Sequence, residues 1–263
     1  MTGWQLEGTA PEAYEKYLVP ALFAPFAERL IEIAEPRRGD RVLDVGCGTG
    51  IVARVAAGRG CRAVGADFNP LMLETARAAE PAIEWLAADA GALPLPDASF
   101  ELVACQASLQ YFPDRAAALR EMRRVLAPGG RLALSVWRSR EHQPAWLRLA
   151  EALDRHVDPE VGDVMRAPFA FGDPEALRTL VATAGFRDVA LRIVIESVRF
   201  PSATEMLRRQ AVASPLAEPL AALGDEARAA LARDFTASMR PYEDDDGVCF
   251  AQETHVVTAT RAE

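Results

Sequence analysis

The chain has 263 residues, of which 50% are hydrophobic and 25% charged, with a formal net charge of −9. That length suits one large α/β domain or two small ones, and the composition is that of an ordinary globular protein, which excludes the disordered, collagen-like and membrane-spanning classes. The acidic balance also argues against nucleic acid or an anionic membrane as a partner.

The cysteines and histidines predict neither a metal site nor a redox site. The four cysteines lie far apart without a Cys-x-x-Cys pair, and the three histidines show no His-x-x-x-His spacing. The apolar stretch at residues 17–34 is interrupted by prolines and charges and lacks a cleavage site, so no signal peptide is predicted. We therefore expect no metal, and a cytoplasmic protein whose thiols stay reduced.

In chain order, the predicted elements alternate between strands and helices. Residues 11–35 predict one or two amphipathic helices. Short apolar runs then predict five buried strands, at residues 41–45, 62–66, 83–88, 100–105 and 131–137. Helices follow the first, second and fourth of these strands, and Asn69 and Asp114 are expected to cap the latter two helices.

The second half of the chain is less regular. Residues 138–172 interrupt the alternation, a helix is expected from Asp173 to Gly185, and a sixth strand covers residues 189–198. Residues 201–247 predict helix, and residues 248–260 a last, antiparallel strand. The pattern as a whole predicts an α/β fold with a doubly wound, mostly parallel sheet of seven strands.

The strongest functional signal is the segment 44–50, which reads Asp-Val-Gly-Cys-Gly-Thr-Gly between the first strand and its helix. Alternate glycines allow a sharp turn and a close approach of ligand to backbone, and the start of the helix favours an anionic group. Asp67 and Asp89 end the next two strands at the same sheet edge, where a carboxylate can bind ribose hydroxyls. Each aspartate alone is also a common turn residue.

At these residues the sequence resembles the class I S-adenosylmethionine-dependent methyltransferases. The acid-x-Gly-x-Gly-x-Gly form of segment 44–50 fits that family better than the dinucleotide form Gly-x-Gly-x-x-Gly. The similarity continues through residues 65–72, 88–90, 93–103 and 123–132, and it is strongest with the ubiquinone/menaquinone-type small-molecule branch. It implies a Rossmann-like methyltransferase fold with S-adenosylmethionine as the cofactor.

The resemblance implies a single methyltransferase domain over residues 1–263, made of several parts. These are an N-terminal helical cap at residues 1–37, a cofactor-binding half at 38–137, helical substrate-side insertions at 138–172 and 201–247, and a last strand at 248–263. The family usually joins its last two strands closely, so the insertion at 201–247 is a departure from its pattern.

Ten residues receive cofactor-binding roles from the resemblance: Asp44, Gly46, Gly48, Gly50, Asp67, Phe68, Met72, Asp89, Ala90 and Gln106. Asp67 would hold the ribose diol, with Phe68 and Met72 against the adenine. Asp89 would accept a hydrogen bond from the adenine amino group, while the Ala90 N–H reaches a ring nitrogen.

The remaining roles concern the methionine part of the cofactor. Gly46 and Gly48 would approach it, and Gln106 would lie beside it, just past the fourth strand. Asp44 would orient the glycine loop or the cofactor's ammonium group.

Methyl transfer from a sulfonium is an in-line displacement, so positioning and exclusion of water can supply much of the catalysis. A base is needed only if the acceptor arrives protonated. The candidates, in order of preference, are His142, His156, Tyr14 and Tyr111, although a surface or packing role is at least as plausible for each. His255, in the last strand, is interpreted as structural.

The expected acceptor is a small, largely apolar or aromatic molecule enclosed by residues 1–35, 138–172 and 201–247. Residues that could line its pocket are Trp137, Trp146, Met165, Phe169, Phe171, Tyr111 and Phe112. For any one of them, packing of extra helices onto the core is the alternative role. The sequence leaves open whether oxygen, nitrogen or carbon is methylated, and it leaves the oligomeric state open.

Two other functions remain open at this point. An NAD(P)-dependent oxidoreductase would share the sheet and the acidic residue after the second strand, although the only lysine, Lys16, has no tyrosine four residues before it. A cofactor-binding regulatory module without transfer activity would share the whole cofactor motif.

Overall fold

A computed structural model describes residues 6–262, and its centre is one mixed β-sheet. Within these residues the strands are β1 (Arg41–Val45), β2 (Arg62–Asp67), β3 (Glu84–Ala87), β4 (Phe100–Gln106), β5 (Leu126–Trp137), β6 (Arg187–Phe200), β7 (Glu243–Asp244) and β8 (Gly247–Thr260). Seven of them run in the order β3-β2-β1-β4-β5-β8-β6. The two-residue β7 pairs only with the start of β8.

The pairing confirms the doubly wound, mostly parallel sheet and its antiparallel last strand. Strands β1 to β5 pair in parallel, with Leu43 opposite Val64 on one side and Val103 on the other. Strand β8 inserts antiparallel between β5 and β6. The long helical insertion before β8 therefore leaves the position of the last strand in the sheet unchanged.

Helices cover both faces of the sheet. They are α1 (Ala10–Ala13), α2 (Ala24–Ala34), α3 (Ile51–Gly58), α4 (Pro70–Ala79), α5 (Arg115–Val125), α6 (Pro144–His156), α7 (Pro159–Arg166), α8 (Pro174–Thr183), α9 (Ala203–Ala213), α10 (Ala217–Ala221) and α11 (Asp225–Met239). A π-helix, Tyr14–Phe23, connects α1 to α2 and contains Pro20. The expected caps are confirmed: Asn69 Oδ1 accepts the Leu71 N–H at 2.9 Å, and Asp114 Oδ1 accepts the Ala117 N–H at 2.8 Å.

The apolar core is divided by the sheet into two layers. One layer packs α2, α6, α9 and α11, including Leu30 and Phe235, and the other packs α5 and α8, including Leu119. All three of these side chains are fully buried. Burial at about 25 cal/mol per Å² of apolar surface makes these layers the main source of stability, and they fix the strand ends that carry the site.

Most strand bounds lie within two residues of expectation, and the largest difference is at β5. Strand β3 covers Glu84–Ala87 instead of the expected residues 83–88, because Ala88 and Asp89 belong to the loop that follows the strand. Strand β5 starts at Leu126 rather than residue 131, since Leu126 pairs with Phe100 before the register shifts, and Gly129 has a positive φ of 70° within this irregular start. Across residues 6–262, none of the helices is long and apolar enough to span a membrane.

Candidate active site

A cavity of about 760 Å³ opens at the carboxyl ends of β1, β2 and β4. It is within the size range of small-molecule and cofactor sites. One half is lined by loops that follow these strands, and the other by side chains of the π-helix, α6, α9 and the segment at residues 165–169. Ligands of open α/β sheets bind at this edge, which identifies the cavity as the candidate site.

Asp67 organises the glycine loop at the first half of the cavity. Its Oδ2 accepts the Gly48 N–H and its Oδ1 accepts the Asn69 N–H, both at 2.8 Å. The loop is also tied to β2 by N–H groups of Gly46 and Cys47 that donate to the Ala66 carbonyl. Each Asp67 oxygen keeps a further lone pair, so the carboxylate can hold the loop and accept from a ligand at once.

Asp44 lies below the loop and is 1% exposed. Its Oδ2 accepts the Ala53 N–H at 3.1 Å from the first turn of α3. Burial raises the pKa of Asp44 to about 7, against the opposing effect of that hydrogen bond. Burial also raises the pKa of Asp67. Two desolvated carboxylates at the cavity wall therefore favour a ligand with positive charge.

The residues expected around an adenine form one end of the cavity. Phe68, Met72, Asp89 and Ala90 all line it, and Phe68 is 70% exposed there. Asp89 Oδ1 accepts the Gly91 N–H at 2.8 Å, which shapes the loop after β3. An exposed aromatic ring beside a carboxylate presents a flat apolar surface and a hydrogen-bond acceptor to a ligand.

Gln106, at the end of β4, faces the middle of the cavity. Its Nε2 donates to the Phe23 carbonyl at 2.9 Å, which connects β4 to the π-helix. Its Oε1 is buried and has no hydrogen-bond partner among residues 6–262. An unpaired buried acceptor is unfavourable unless a ligand supplies the donor.

The one expected cofactor residue that does not line the cavity is Gly50. It adopts φ of 89° at the start of α3, and a Cβ there would lie 2.1 Å from the Trp85 ring. Gly50 therefore lets α3 begin directly against Trp85, while its expected ligand contact stays a prediction.

The four candidate bases fall into two groups by their position relative to the cavity. His142 and His156 lie outside the cavity lining: His142 Nε2 is 2.9 Å from Arg138 Nη2, and His156 Nε2 is 3.1 Å from Asp234 Oδ2. Tyr14 and Tyr111 both line the cavity, and burial raises the pKa of each phenol above its ordinary value. His255 is confirmed as structural, since it is 2% exposed and 3.0 Å from the Gly172 carbonyl.

The second half of the cavity is apolar, as expected. Six of the seven residues proposed to line it do so: Trp137, Trp146, Met165, Phe169, Tyr111 and Phe112. Phe171 does not, because its ring packs under the Arg115 guanidinium, 4.4 Å from ring centroid to Cζ. The acidic run at residues 243–246 is exposed and forms the turn into β8, and no cluster of potential metal ligands occurs within residues 6–262.

Two glutamines of this half were missed from the sequence. Gln210 lies on the buried face of α9, together with Met206, Leu207 and Ala213. Gln252 is one of the buried residues that alternate along the first part of β8. Both line the cavity, at 2% and 1% exposure. A polar residue at an otherwise apolar position of a helix or strand is the signal that could have identified them.

Comparison with known proteins agrees with the fold. A methyltransferase domain family matches residues 43–134. The chain is 36% identical over 179 residues to the demethylmenaquinone methyltransferase of Thermus thermophilus, covering 60% of this chain and 79% of that protein. It is 35% identical over 141 residues to the malonyl-[acyl-carrier protein] O-methyltransferase of Serratia marcescens, covering 52% and 54%.

A solved structure extends the similarity to nearly the whole chain. The phosphoethanolamine N-methyltransferase 2 of Haemonchus contortus, in complex with S-adenosyl-L-methionine, aligns with a TM-score of 0.61 at 19% identity. The alignment covers 97% of this chain and 57% of that one. At that identity it shows a shared fold.

The fold and the glycine loop define a Rossmann-like cofactor-binding enzyme. With these relatives, the chain belongs to the class I S-adenosylmethionine-dependent methyltransferases, and its activity is methyl transfer. The comparisons give no support to an oxidoreductase or to a regulatory module without activity.

Proposed function

We propose that this protein transfers a methyl group from S-adenosylmethionine to an uncharged, largely apolar small molecule. The observation that carries the proposal is the charge distribution of the cavity. Among the described residues that line it, four are aspartates, at positions 44, 67, 89 and 114, and none is Arg, Lys or His. Such a lining complements a cationic donor and offers no partner to an anionic acceptor.

The residues present fit the donor. Asp67 would accept from the ribose diol through its remaining lone pairs, and Asp89 and the Ala90 N–H would pair with the adenine edge between Phe68 and Met72. When bound, the donor supplies an electrophilic methyl group on a positively charged sulfur.

The methionine part would meet the glycine loop and Gln106. A Cβ at Gly48 would have no atom within 4 Å, so the backbone there is open to a ligand. The unpaired Gln106 Oε1 would accept from an ammonium group, and Asp44 would add negative charge behind it. These assignments rest on the positions that match the family's motif and on the unpaired Gln106 Oε1.

The chain's own contribution to catalysis is positioning and exclusion of water. The aromatic half of the cavity, with Trp137, Trp146 and Phe169 all at most 5% exposed, removes water from the transfer site. The phenols of Tyr14 and Tyr111 stay protonated at neutral pH because burial raises the pKa of each. They would therefore donate hydrogen bonds to an acceptor oxygen rather than remove its proton.

The named relatives differ in their acceptors. One is named for a menaquinone precursor and the other for a malonyl group on a carrier protein. An apolar cavity without a lining cation suits the first kind of acceptor, since the malonyl carboxylate would be desolvated without a counter-charge. We further propose a cytoplasmic location, which the four free thiols favour.

A radiolabelled methyl-transfer screen tests the proposal. The full chain is incubated with labelled S-adenosylmethionine and separate panels of quinols, phenols, amines, carboxylic acids, total RNA and protein extract. Label should enter neutral aromatic small molecules, and calorimetry should show binding of S-adenosylhomocysteine. Label in carboxylic acids, RNA or protein alone would refute the proposed acceptor class.

A further inference from the structure

The buried amide of Gln252 is held in one orientation at the apolar half of the cavity. Gln252 lies in the middle of β8 and is 1% exposed. The indole Nε1–H of Trp146, on α6, donates to Gln252 Oε1. Because that hydrogen bond occupies the carbonyl oxygen, the Nε2 amino group is the end of the amide left for another partner.

Among the described residues, the hydrogen bond of the Gln252 side chain is the one from Trp146 to its Oε1. A donor at an apolar cavity wall gains free energy when a ligand brings an acceptor to it. Gln252 lines the cavity, so a ligand in the cavity can supply the acceptor. Gln210, at 2% exposure on α9, adds a second cavity-lining amide whose side chain has no protein partner within residues 6–262.

The surroundings of Gln252 restrict the chemistry of that partner. The Trp146 ring packs edge-on against Phe250, with centroids 5.7 Å apart, and Met165 and Phe169 are buried beside the same cavity. Because none of the described residues in the lining is a cation, a carboxylate or phosphate would be desolvated without compensation. An uncharged oxygen that only accepts hydrogen bonds suits both the amino group and its apolar walls.

We propose that Gln252 is a specificity-determining residue that donates a hydrogen bond to a carbonyl oxygen of an uncharged cyclic acceptor molecule. Trp146 is the positioning residue that fixes which end of the amide faces the ligand. This inference rests on the proposed function, because it places the methyl acceptor in the apolar half of the cavity. It adds the functional group by which the acceptor is selected.

Binding of two matched probes tests the proposal without turnover. α-Tetralone and tetralin share one bicyclic frame, and only the first carries a carbonyl oxygen. Their dissociation constants are measured by calorimetry on the full chain saturated with S-adenosylhomocysteine. The measured quantity is the dissociation constant of tetralin divided by that of tetralone. A change in the apolar walls of the cavity alters both dissociation constants in a similar way, so it largely cancels in this ratio.

The variant Gln252→Met keeps the length of the side chain and removes the amide. We expect it to lower the ratio about threefold to tenfold, the usual value of one neutral hydrogen bond. Trp146→Phe should also lower the ratio, because the amide is then free to turn its oxygen toward the ligand. The matched control is Gln143→Met: Gln143 is also 1% exposed and its Nε2 donates to the Glu253 carbonyl, but it lies outside the cavity lining.

The outcomes separate the two proposals. A ratio that falls in Gln252→Met and Trp146→Phe, and is unchanged in Gln143→Met, supports the assignment. It is overturned by a ratio within twofold of wild type in Gln252→Met, by an equal fall in Gln143→Met, or by no tetralone binding to the wild-type protein. If Gln252→Met does not fold, the ratio measured in Trp146→Phe is used in its place, and a value within twofold of wild type overturns the assignment. Failure of S-adenosylhomocysteine to bind would count against the proposed function instead.

Discussion

The two halves of the cavity are built in different ways. The half around the glycine loop uses backbone N–H groups and carboxylates, and its residues extend from position 44 to position 118. The apolar half uses side chains from the π-helix, α6, α9, β8 and the segment at residues 165–169. The first half depends on local backbone geometry, whereas the second depends on how distant segments pack.

The glycine loop shows the same division on a smaller scale. Gly48 faces the cavity, and a Cβ there would meet no atom within 4 Å. Gly50, two residues later, faces Trp85 at a distance that leaves no room for a Cβ. One motif therefore contains a glycine for the ligand and a glycine for the fold, and substitutions can separate them.

The largest effect is expected from Gly50→Ala. The φ of 89° costs an alanine about 1–2 kcal/mol, and overpacking against Trp85 adds about 1–3 kcal/mol. The free energy of unfolding, measured by urea denaturation, should fall by the sum of the backbone cost and the overpacking cost. Gly48→Ala is the matched control and should cost only the backbone part, since its Cβ meets nothing. Equal losses in the two variants would contradict this division of roles.

The next prediction concerns the pH dependence of Asp44. Its pKa of about 7 in the folded chain exceeds the ordinary value of 3.8. Between these values the folded chain binds a proton that the unfolded chain does not, so the free energy of unfolding falls as pH rises. Asp44→Asn cannot titrate and keeps an oxygen for the Ala53 N–H. It should gain stability over wild type from pH 5 to pH 8, by about 3 kcal/mol, because about two of the roughly three pH units between the two pKa values fall within that window.

Urea denaturation at pH 5, 6, 7 and 8 measures this difference. The two proteins should be closest at pH 5, where the Asp44 carboxyl is protonated in the folded wild-type chain, and furthest apart at pH 8. Curves that run parallel over the whole range would show that Asp44 does not titrate in this window.

Asp67→Ala should weaken cofactor binding about tenfold to a hundredfold. The proposed ribose contact is a charged hydrogen bond, worth about 1.5–3 kcal/mol. The comparison is Asp173→Ala, which also removes a carboxylate that accepts a backbone N–H, from Ala176 at 2.6 Å, but lies outside the cavity lining. Calorimetry with S-adenosylhomocysteine should show a loss only in the first variant. Equal affinity in Asp67→Ala would remove Asp67 from the site.

The contrast between the halves also explains what the sequence could predict. The positions of Asp67 and Asp89 at strand ends and the succession of strands along the chain followed from local signals, because strand ends and turns are specified by neighbouring residues. Gly50 was assigned to the ligand because a motif does not show which glycine faces a side chain 35 positions away, here Trp85. Gln252 was missed because its neighbour Trp146 is brought to it only by the packing of α6 on β8.

The smallest effect is expected from the two histidines that the sequence favoured as bases. His142 contacts Arg138, and His156 pairs with Asp234, both outside the cavity lining. Removal of a general base costs about 10²–10⁴-fold in rate. We expect His142→Gln and His156→Gln to change kcat by no more than about twofold, since neither imidazole is within reach of a ligand in the cavity. Tyr14→Phe, at a cavity-lining phenol, should lower kcat/KM about twofold to tenfold by loss of one hydrogen bond. A hundredfold loss of kcat in either histidine variant, with S-adenosylhomocysteine affinity unchanged, would restore that histidine as the base and require α6 or its preceding loop to move toward the cavity during turnover.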